Sequence, residues 1–224
     1  MSAILEQLSA PQQIFYPESD GKPMGETDRH IRLILEIMRT LSVHYSTQSD
    51  IYVLGDVLFY YQEGNPKKFL VPDVMVVKGV GKHLRRTYKL WDEGEVPSVI
   101  FEISSRSTWG EDLNTKWAIY QQLGVKEYYI FDPEYDYLPE PLVAYKLIKG
   151  ELRKINVQNR RIFSRELGLE IVDTGETLRF FDTEKNEFLL TAQEEHEALN
   201  LEKQARIKAE HELSELKKLL QEKK

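Results

Sequence analysis

Residues 69–77 read FLVPDVMVV and residues 98–103 read SVIFEI, and these two apolar runs decide how the rest of the chain is interpreted. Both are rich in the β-branched and aromatic residues that favour strands. The second run is apolar on both faces, which predicts a strand in the centre of a sheet. Each run also carries a carboxylate, Asp73 and Glu102, and a carboxylate is costly to bury unless it is paired, hydrogen-bonded or metal-bound.

The segments on either side of these runs predict a mixed α/β fold. The predicted elements are, in chain order, a helix over about 26–43, strands over 51–61, 69–77 and 98–103, a helix over 110–123, and strands over 126–132, 143–148, 151–157 and 177–181. The turn sequence QEGNP predicts that the first two strands form a hairpin. This order is typical of an α/β protein whose mixed central sheet is flanked by helices.

Residues 191–224 differ from the rest, because they contain no Gly or Pro and consist mostly of strong helix formers. We therefore predict a domain over 1–190 followed by one long C-terminal helix. A heptad seam runs along this helix and consists of Ala209, Leu213, Leu216 and Leu220, with Leu199 in phase. The seam favours a coiled coil and a homodimer, although Glu202 and Arg206 interrupt it. The alternative is a solvated helix packed on its own domain.

The composition excludes several classes of protein and of site. The chain has no cysteine, which rules out disulfides, cysteine zinc sites and thiol catalysis. The remaining ligands are carboxylates and scattered histidines, which favour hard cations such as Mg²⁺. No apolar run reaches the length of a membrane span, and the first residues do not resemble a signal peptide, so we expect a cytoplasmic protein without a membrane anchor.

The net charge gives a weaker indication. With 30 basic and 37 acidic residues, the chain carries a formal charge of −7. Binding of nucleic acid across the whole surface would need more Lys and Arg, because these residues neutralise phosphate. A local basic patch remains compatible with this balance, and the segment KHLRRTYKLW, residues 82–91, is the best candidate.

Asp73 and Glu102 can lie side by side if their strands are neighbours. Strand alternation places Asp73 on the face of Met75, and Glu102 on the face of Ile100. Two adjacent carboxylates repel each other, so a divalent cation between them would stabilise both. Lys116, on the following helix, could orient an attacking water or neutralise charge that develops on a phosphate.

Each of these three residues also has a simpler explanation. Asp73 follows a proline and could bond to the local backbone in a turn. Glu102 could pair with Arg106. Asp112 and Lys116 form an (i, i+4) pair of a kind that is common on exposed helices.

Six stretches of the sequence resemble the putative restriction endonuclease family, which belongs to the PD-(D/E)XK nuclease superfamily. The resemblance runs from about Tyr16 to beyond Asp182. The stretches are YPESDGKPMGETD (16–28), GDVLFYY (55–61), LVPDVMVV (70–77), TYKLWDEGE (87–95), SVIFEISSRST (98–108) and KWAIYQQLGVKEYYIFDP (116–133). The resemblance implies a restriction-endonuclease-like core and hydrolysis of DNA phosphodiester bonds that depends on Mg²⁺ or Mn²⁺.

The resemblance also implies roles for individual residues. Asp73 takes the place of the Asp in the PD motif, and Glu102 that of the second acid, so both would be metal ligands. Ser104 stands where the lysine of the motif is expected, and Lys116 on the helix would replace that lysine as the third catalytic residue. Glu26 and Asp56 are additional candidate acids, although Glu26 is equally well explained as a charge at a helix N-terminus.

The segment 82–91 is the best candidate for substrate contact. Its candidate phosphate-binding residues are Lys82, Arg85, Arg86 and Lys89. The alternative is a solvated loop that Trp91 anchors. Two functions therefore compete: a metal-dependent endonuclease that acts on DNA as a homodimer, and an inactive nuclease-fold module that serves in binding or assembly.

Overall fold

A computed structural model describes residues 14–21 and 27–221 of the chain, without the side chains of residues 215, 216, 219 and 220. The helices in this part are α1 Asp28–His44, α2 Leu90–Glu93, α3 Trp109–Glu111, α4 Trp117–Leu123 and α5 Ala192–Gln221, with a π-helical turn, Asp112–Lys116, between α3 and α4. The strands are β1 Ile51–Leu54, β2 Phe59–Tyr60, β3 Phe69–Leu70, β4 Val74–Lys78, β5 Tyr88–Lys89, β6 Val99–Ile103, β7 Glu127–Phe131, β8 Leu142–Ile148, β9 Glu151–Ile155, β10 Arg161–Ser164, β11 Leu169–Asp173, β12 Leu178–Asp182 and β13 Glu187–Phe188.

The central sheet has six strands in the order β1-β4-β6-β7-β8-β9. Strand β6 lies inside it, antiparallel to β4 and parallel to β7, and all of its residues are buried. The prediction of a mixed α/β fold with a central strand at residues 98–103 is therefore confirmed. The helical segment 109–123 connects the parallel strands β6 and β7, as a parallel pair requires.

Helix α1 packs on one face of this sheet. The hydroxyl oxygen of Thr27 caps the helix by accepting a hydrogen bond from the backbone N–H of His30 at 3.2 Å. His30, Leu33, Ile37 and Leu41 form the buried stripe of the helix. The predicted helix over 26–43 is confirmed from residue 28 onwards, whereas Glu26 lies outside the described residues.

The predicted hairpin is present, but both of its strands are interrupted. Strands β1 and β4 pair within the central sheet, whereas β2 pairs with β3 and β5 in a separate three-stranded sheet. The chain bends between β1 and β2 at Gly55 and Asp56. A side chain at Gly55 would place its Cβ 2.1 Å from the carbonyl oxygen of Asp73, so only glycine permits this approach.

A four-stranded sheet in the order β10-β11-β12-β13 covers the same side of the central sheet as α1. Of these strands the sequence predicts only β12; β10 and β13 are short, with four and two residues, whereas β11 is as long as β12 and equally apolar inside. The predicted strands at 143–148 and 151–157 are β8 and β9. Lys149 and Gly150 connect them with positive φ angles of 53° and 85°, the conformation of a tight hairpin turn.

The C-terminal helix α5 is attached to the rest of the chain at its first turn. Thr191 and Glu194 form a capping box, with N–H to side-chain oxygen distances of 2.8 and 3.2 Å. Arg179 binds Glu194 and Arg39 binds Glu195. From His196 onwards every described side chain of α5 is exposed. Among the described helices, α5 included, none has the length and apolar character to cross a bilayer.

Candidate active site

Asp73 and Glu102 lie next to each other where β4 begins and β6 ends. Strands β4 and β6 pair with Val74 opposite Phe101, and one further step in this register places Asp73 opposite Glu102. The Oδ2 atom of Asp73 accepts a hydrogen bond from the backbone N–H of Ile103 at 2.6 Å. The fold thus brings together two acids that are well separated in the sequence.

Lys116 joins this pair from the π-helical turn. Its Nζ atom lies 2.7 Å from Oε2 of Glu102 and 3.0 Å from Oδ1 of Asp112, and only 12% of the side chain is exposed. The lysine is therefore not part of an exposed helical pair. Glu102 pairs with Lys116 and not with Arg106, so that simpler explanation of Glu102 is wrong.

Ser104 and Asp112 fix the position of Lys116. The hydroxyl of Ser104, which stands where the motif lysine was expected, donates a hydrogen bond to Oδ2 of Asp112 at 3.0 Å. The other oxygen of Asp112 faces Lys116. Both side chains are buried, so the ammonium group has little freedom to leave the two carboxylates.

Burial, together with an excess of negative charge, shifts the pKa values of the groups in this site. Burial raises the pKa of Glu102 to about 8, because Lys116 only partly offsets the cost and the charges of Asp73 and Asp112 add to it. Burial likewise raises the pKa of Asp112. For Lys116 burial opposes the charged form, but the three carboxylates outweigh it and raise the pKa. The ammonium therefore stays charged, while Glu102 binds a proton near neutral pH.

Two residues of this site could not be assigned from the sequence. Tyr120 donates a hydrogen bond from its hydroxyl to Oε1 of Glu102 at 2.6 Å, and burial raises its pKa so that it remains a donor. His30 is buried, and its Nε2 atom lies 3.8 Å from Oδ1 of Asp73. A signal existed for each: Tyr120 follows Asp112 and Lys116 at intervals of four along one helix face, and His30 belongs to the apolar stripe of α1.

Asp56 lies close to the pair but is exposed. Its φ angle of 52° places it in the left-handed region, and its N–H donates to the carbonyl oxygen of Pro72 at 3.0 Å. Partial burial raises its pKa, and the charge of Asp73 raises it further. Asp56 therefore lies near Asp73, in a bend and not in a strand, and its role as an additional acid of the site stays a prediction.

The donor set is suited to a hard divalent cation. Among residues 14–21 and 27–221, no three His, Asp or Glu side chains converge closely enough to form a metal site by themselves. Asp73 and Glu102 nevertheless provide carboxylate oxygens in a site where the charges of three carboxylates act on one ammonium. A cation bound to both acids would lower this excess charge, and water and phosphate oxygens would complete its coordination.

Two of the four predicted phosphate-binding residues in the segment 82–91, Lys82 and Arg85, bind groups of the protein itself. Lys82 donates to the carbonyl oxygen of Tyr45, at the C-terminal end of α1, whereas Asp73 contacts His30 in the first turn of that helix. The guanidinium of Arg85 is 3% exposed, binds both oxygens of Glu93 and donates to the carbonyl of Gly81. These two residues stabilise the fold of the loop.

The other two basic residues of this segment also have partners in the fold. Arg86 forms an ion pair with Glu18. Lys89 lies 3.5 Å from Asp92 and above the ring of Tyr16. Arg86 is 82% exposed and could exchange its partner for a phosphate, so contact with substrate by Arg86 and Lys89 stays a prediction.

The pKa of Glu102 leads to a prediction about stability without metal. Its usual pKa is 4.5, so between about pH 4.5 and 8 the folded protein binds a proton at Glu102 that the unfolded chain does not. The free energy of unfolding should therefore fall as the pH rises through this window. The side chain at position 102 of a Glu102→Gln variant does not titrate in this window. The free energy of unfolding of the variant should therefore fall less than that of the unmodified protein, by roughly 2 kcal/mol or more.

Urea unfolding in EDTA, at several pH values across this window, measures the difference. Asp112 is present in both proteins, so the difference between their pH dependences reports the change at residue 102. Glu111→Gln, an exposed glutamate in the same helical segment, is the matched control and should keep the slope of the unmodified protein. Parallel curves for the protein and Glu102→Gln would contradict the raised pKa.

Comparison with known proteins gives the family. None of the curated proteins matches the sequence. Among solved structures, the chain is similar to a protein from Anabaena variabilis ATCC 29413 that is described as a putative nuclease belonging to DUF820. The two sequences are 14% identical, and the match covers 65% of this chain and 76% of the other with a TM-score of 0.48. The sequence model of the Uma2 family, described as "Putative restriction endonuclease", matches residues 5–173. This match covers well over half of the 224 residues, and the chain therefore belongs to the Uma2 putative restriction endonuclease family.

Proposed function

We propose that this protein is a metal-dependent endonuclease that hydrolyses phosphodiester bonds of DNA. The observation that carries the proposal is the arrangement of Asp73, Glu102 and Lys116, in which the strand register places the two carboxylates side by side and the nearly buried ammonium pairs with Glu102. Membership in a nuclease family supports the same reaction class. The cofactor would be Mg²⁺ or Mn²⁺, held by Asp73 and Glu102, because carboxylate oxygens suit these ions.

The residues of the site have distinct tasks in this reaction. When bound, the divalent ion supplies Lewis acidity and lowers the pKa of a water molecule. The N–H of Ile103 orients Asp73, and the hydroxyl of Tyr120 orients Glu102. Lys116 would donate to the attacking water or to a phosphate oxygen, where it stabilises the negative charge that develops. Hydrolysis forms one P–O bond from water and breaks another, and the leaving oxygen takes up a proton.

A cleavage assay tests this function directly. The full chain is incubated with supercoiled plasmid and with circular single-stranded DNA, in Mg²⁺, in Mn²⁺ and in EDTA. We expect nicked or linear products in at least one metal and none in EDTA. The absence of EDTA-sensitive cleavage on every substrate would contradict the proposal and favour the inactive binding or assembly module.

We further propose that α5 associates with a second copy of the chain. The described seam residues Leu199, Ala209 and Leu213 are exposed, and Leu199 and Leu213 expose 62% and 52% of their surface. A helix of this kind gains most of its stability when an apolar stripe is buried, and nothing in the described part of the chain covers these leucines. A homodimer would also suit a nuclease that cuts both strands of a duplex, because its two-fold axis can match that of DNA.

Light scattering at micromolar concentration tests this association. The full chain should have the mass of a dimer, and a chain that ends at Leu190 should be a monomer. In the full chain, Leu213→Glu should also give a monomer, because it places a charge in the seam. Gln204→Glu adds the same charge outside the seam and should leave the dimer intact. A full chain that is itself monomeric would rule out self-association through α5.

A further inference from the structure

A cavity of about 310 Å³ opens beside the candidate active site, at the carboxyl ends of β6 and β7. Its walls come from the start of α1, from the segment 104–107 after β6, and from the loop after β7. The volume lies at the lower end of the range for small-ligand sites. It is large enough for one small planar group and much too small for a double helix.

Two residues connect this cavity to the acids. Ser104 lines the cavity and donates its hydroxyl hydrogen bond to Asp112. His30 lines it as well, and its Nε2 atom lies 3.8 Å from Asp73. A molecule bound in the cavity would therefore lie directly next to the groups that we propose to cut the phosphodiester bond.

The wall formed by the loop after β7 is rigid. The carboxylate of Asp132, which is fully buried, accepts hydrogen bonds from five backbone N–H groups, those of residues 134–138. Tyr135 fixes the loop further by donating its hydroxyl hydrogen bond to Asp173. These contacts hold Glu134 and Tyr137 in place at the cavity. Such preorganisation is what a binding wall requires.

The wall formed by the segment 104–107 carries a cation that is free to bind an anion. Arg106 is exposed, and it makes no ion pair or hydrogen bond with any residue in the described ranges 14–21 and 27–221. Hydrogen bonds among the hydroxyls of Ser105, Ser107 and Thr108 hold its segment. Trp109, three positions further on, is 43% exposed. An arginine and a tyrosine that line the same cavity are suited to a phosphate with an adjoining base.

We propose that this cavity binds one unstacked nucleotide of the DNA strand that is cut, with Arg106 on its phosphate and the ring of Tyr137 against its base. This assignment rests on the proposed nuclease function and deepens it. The substrate is then a strand whose bases are accessible, either single-stranded DNA or a duplex from which one base has been extruded. Binding of an intact duplex must first unstack a base, which lowers its affinity.

Binding measured without cleavage tests the proposal. Fluorescence anisotropy of the full chain in Ca²⁺ compares a labelled single strand, its blunt duplex and a duplex with one mismatched 2-aminopurine. The single strand should bind about tenfold more tightly than the blunt duplex. The duplex with the mismatched 2-aminopurine should bind more tightly than the blunt duplex, because a mismatched base is easier to extrude.

Two variants assign the effect to the cavity. Arg106→Ala and Tyr137→Ala should each weaken binding of the single strand by about tenfold, since each removes one contact to phosphate or base. Arg165→Ala is the control, because Arg165 is exposed on the turn between β10 and β11, near Glu127 at the opposite end of β7. It should bind as the unmodified chain does.

The outcomes separate this proposal from the proposed function. Binding that depends on Arg106 and Tyr137, without cleavage in any metal, would support the cavity and contradict the nuclease. Cleavage by a chain that binds blunt duplex as tightly as single strand, with both variants unaffected, would overturn the cavity assignment alone. Tenfold tighter binding of an RNA strand of the same sequence would overturn the choice of DNA.

Discussion

An Asp73→Asn variant should lose metal-dependent cleavage, by at least about a thousandfold. The amide oxygen of the substituted side chain would still accept the hydrogen bond from the N–H of Ile103, so the local backbone should not change. The variant would lack the negative charge that, together with Glu102, is needed to hold a divalent cation. Because the same charge raises the pKa of Glu102, its removal relieves repulsion, and the free energy of unfolding should stay equal or increase.

Three measurements separate this outcome from simple misfolding. The far-UV circular dichroism should match that of the unmodified chain, thermal unfolding in EDTA should not shift downwards, and the stabilisation by Mg²⁺ should disappear. Asp50→Asn, which changes an exposed aspartate in the turn before β1 in the same way, should cleave normally. Full cleavage by Asp73→Asn would exclude Asp73 as a metal ligand.

The central part of the fold could be predicted because burial leaves a strong pattern. A strand that is buried on both faces has an apolar run, and this pattern predicts β6. The interruptions of the hairpin could not be predicted in this way. They depend on the contact between Gly55 and the carbonyl of Asp73, which only the folded chain brings together.

The same distinction applies to the candidate site. Asp73 and Glu102 are visible in the sequence because each violates an apolar pattern. Asp112 and Tyr120 give only a weak signal, since an (i, i+4) ion pair and a tyrosine on a core stripe are ordinary features of a helix. The π-helical turn, Asp112–Lys116, leaves no pattern in the sequence either, and it widens the helix by one residue where Lys116 meets Glu102.

The basic segment 82–91 illustrates why charge alone does not identify a binding surface. Its arginines and lysines are as suitable for phosphate as any, but Arg85 already uses its guanidinium for Glu93 and two backbone carbonyls. Arg106 is a single basic residue in a serine-rich segment, and the sequence indicates no more for it than a pairing with Glu102. The number of charges in a segment does not show which of them the fold has already paired.

A Lys116→Met variant should reduce cleavage by a factor of about 100 to 1,000, the loss that follows when one preorganised donor is removed from a transition state. Methionine has a similar length and is apolar, so it fills the same space. Without the ammonium, Glu102 and Asp112 lose their shared partner, at 2.7 and 3.0 Å. Both pKa values should rise further, and the loss of stability should grow as the pH rises and the two acids must ionise.

Single-turnover cleavage, together with urea unfolding at pH 6 and pH 9, measures both effects. Lys126→Met, the same change at an exposed lysine just before β7, should affect neither. Lys116→Arg keeps the charge and should restore most of the stability but less of the activity, because a planar guanidinium cannot occupy the same point between two carboxylates. If Lys116→Met cleaves normally while it loses stability, the ammonium serves only to neutralise the buried acids, and another group must stabilise the charge on the phosphate.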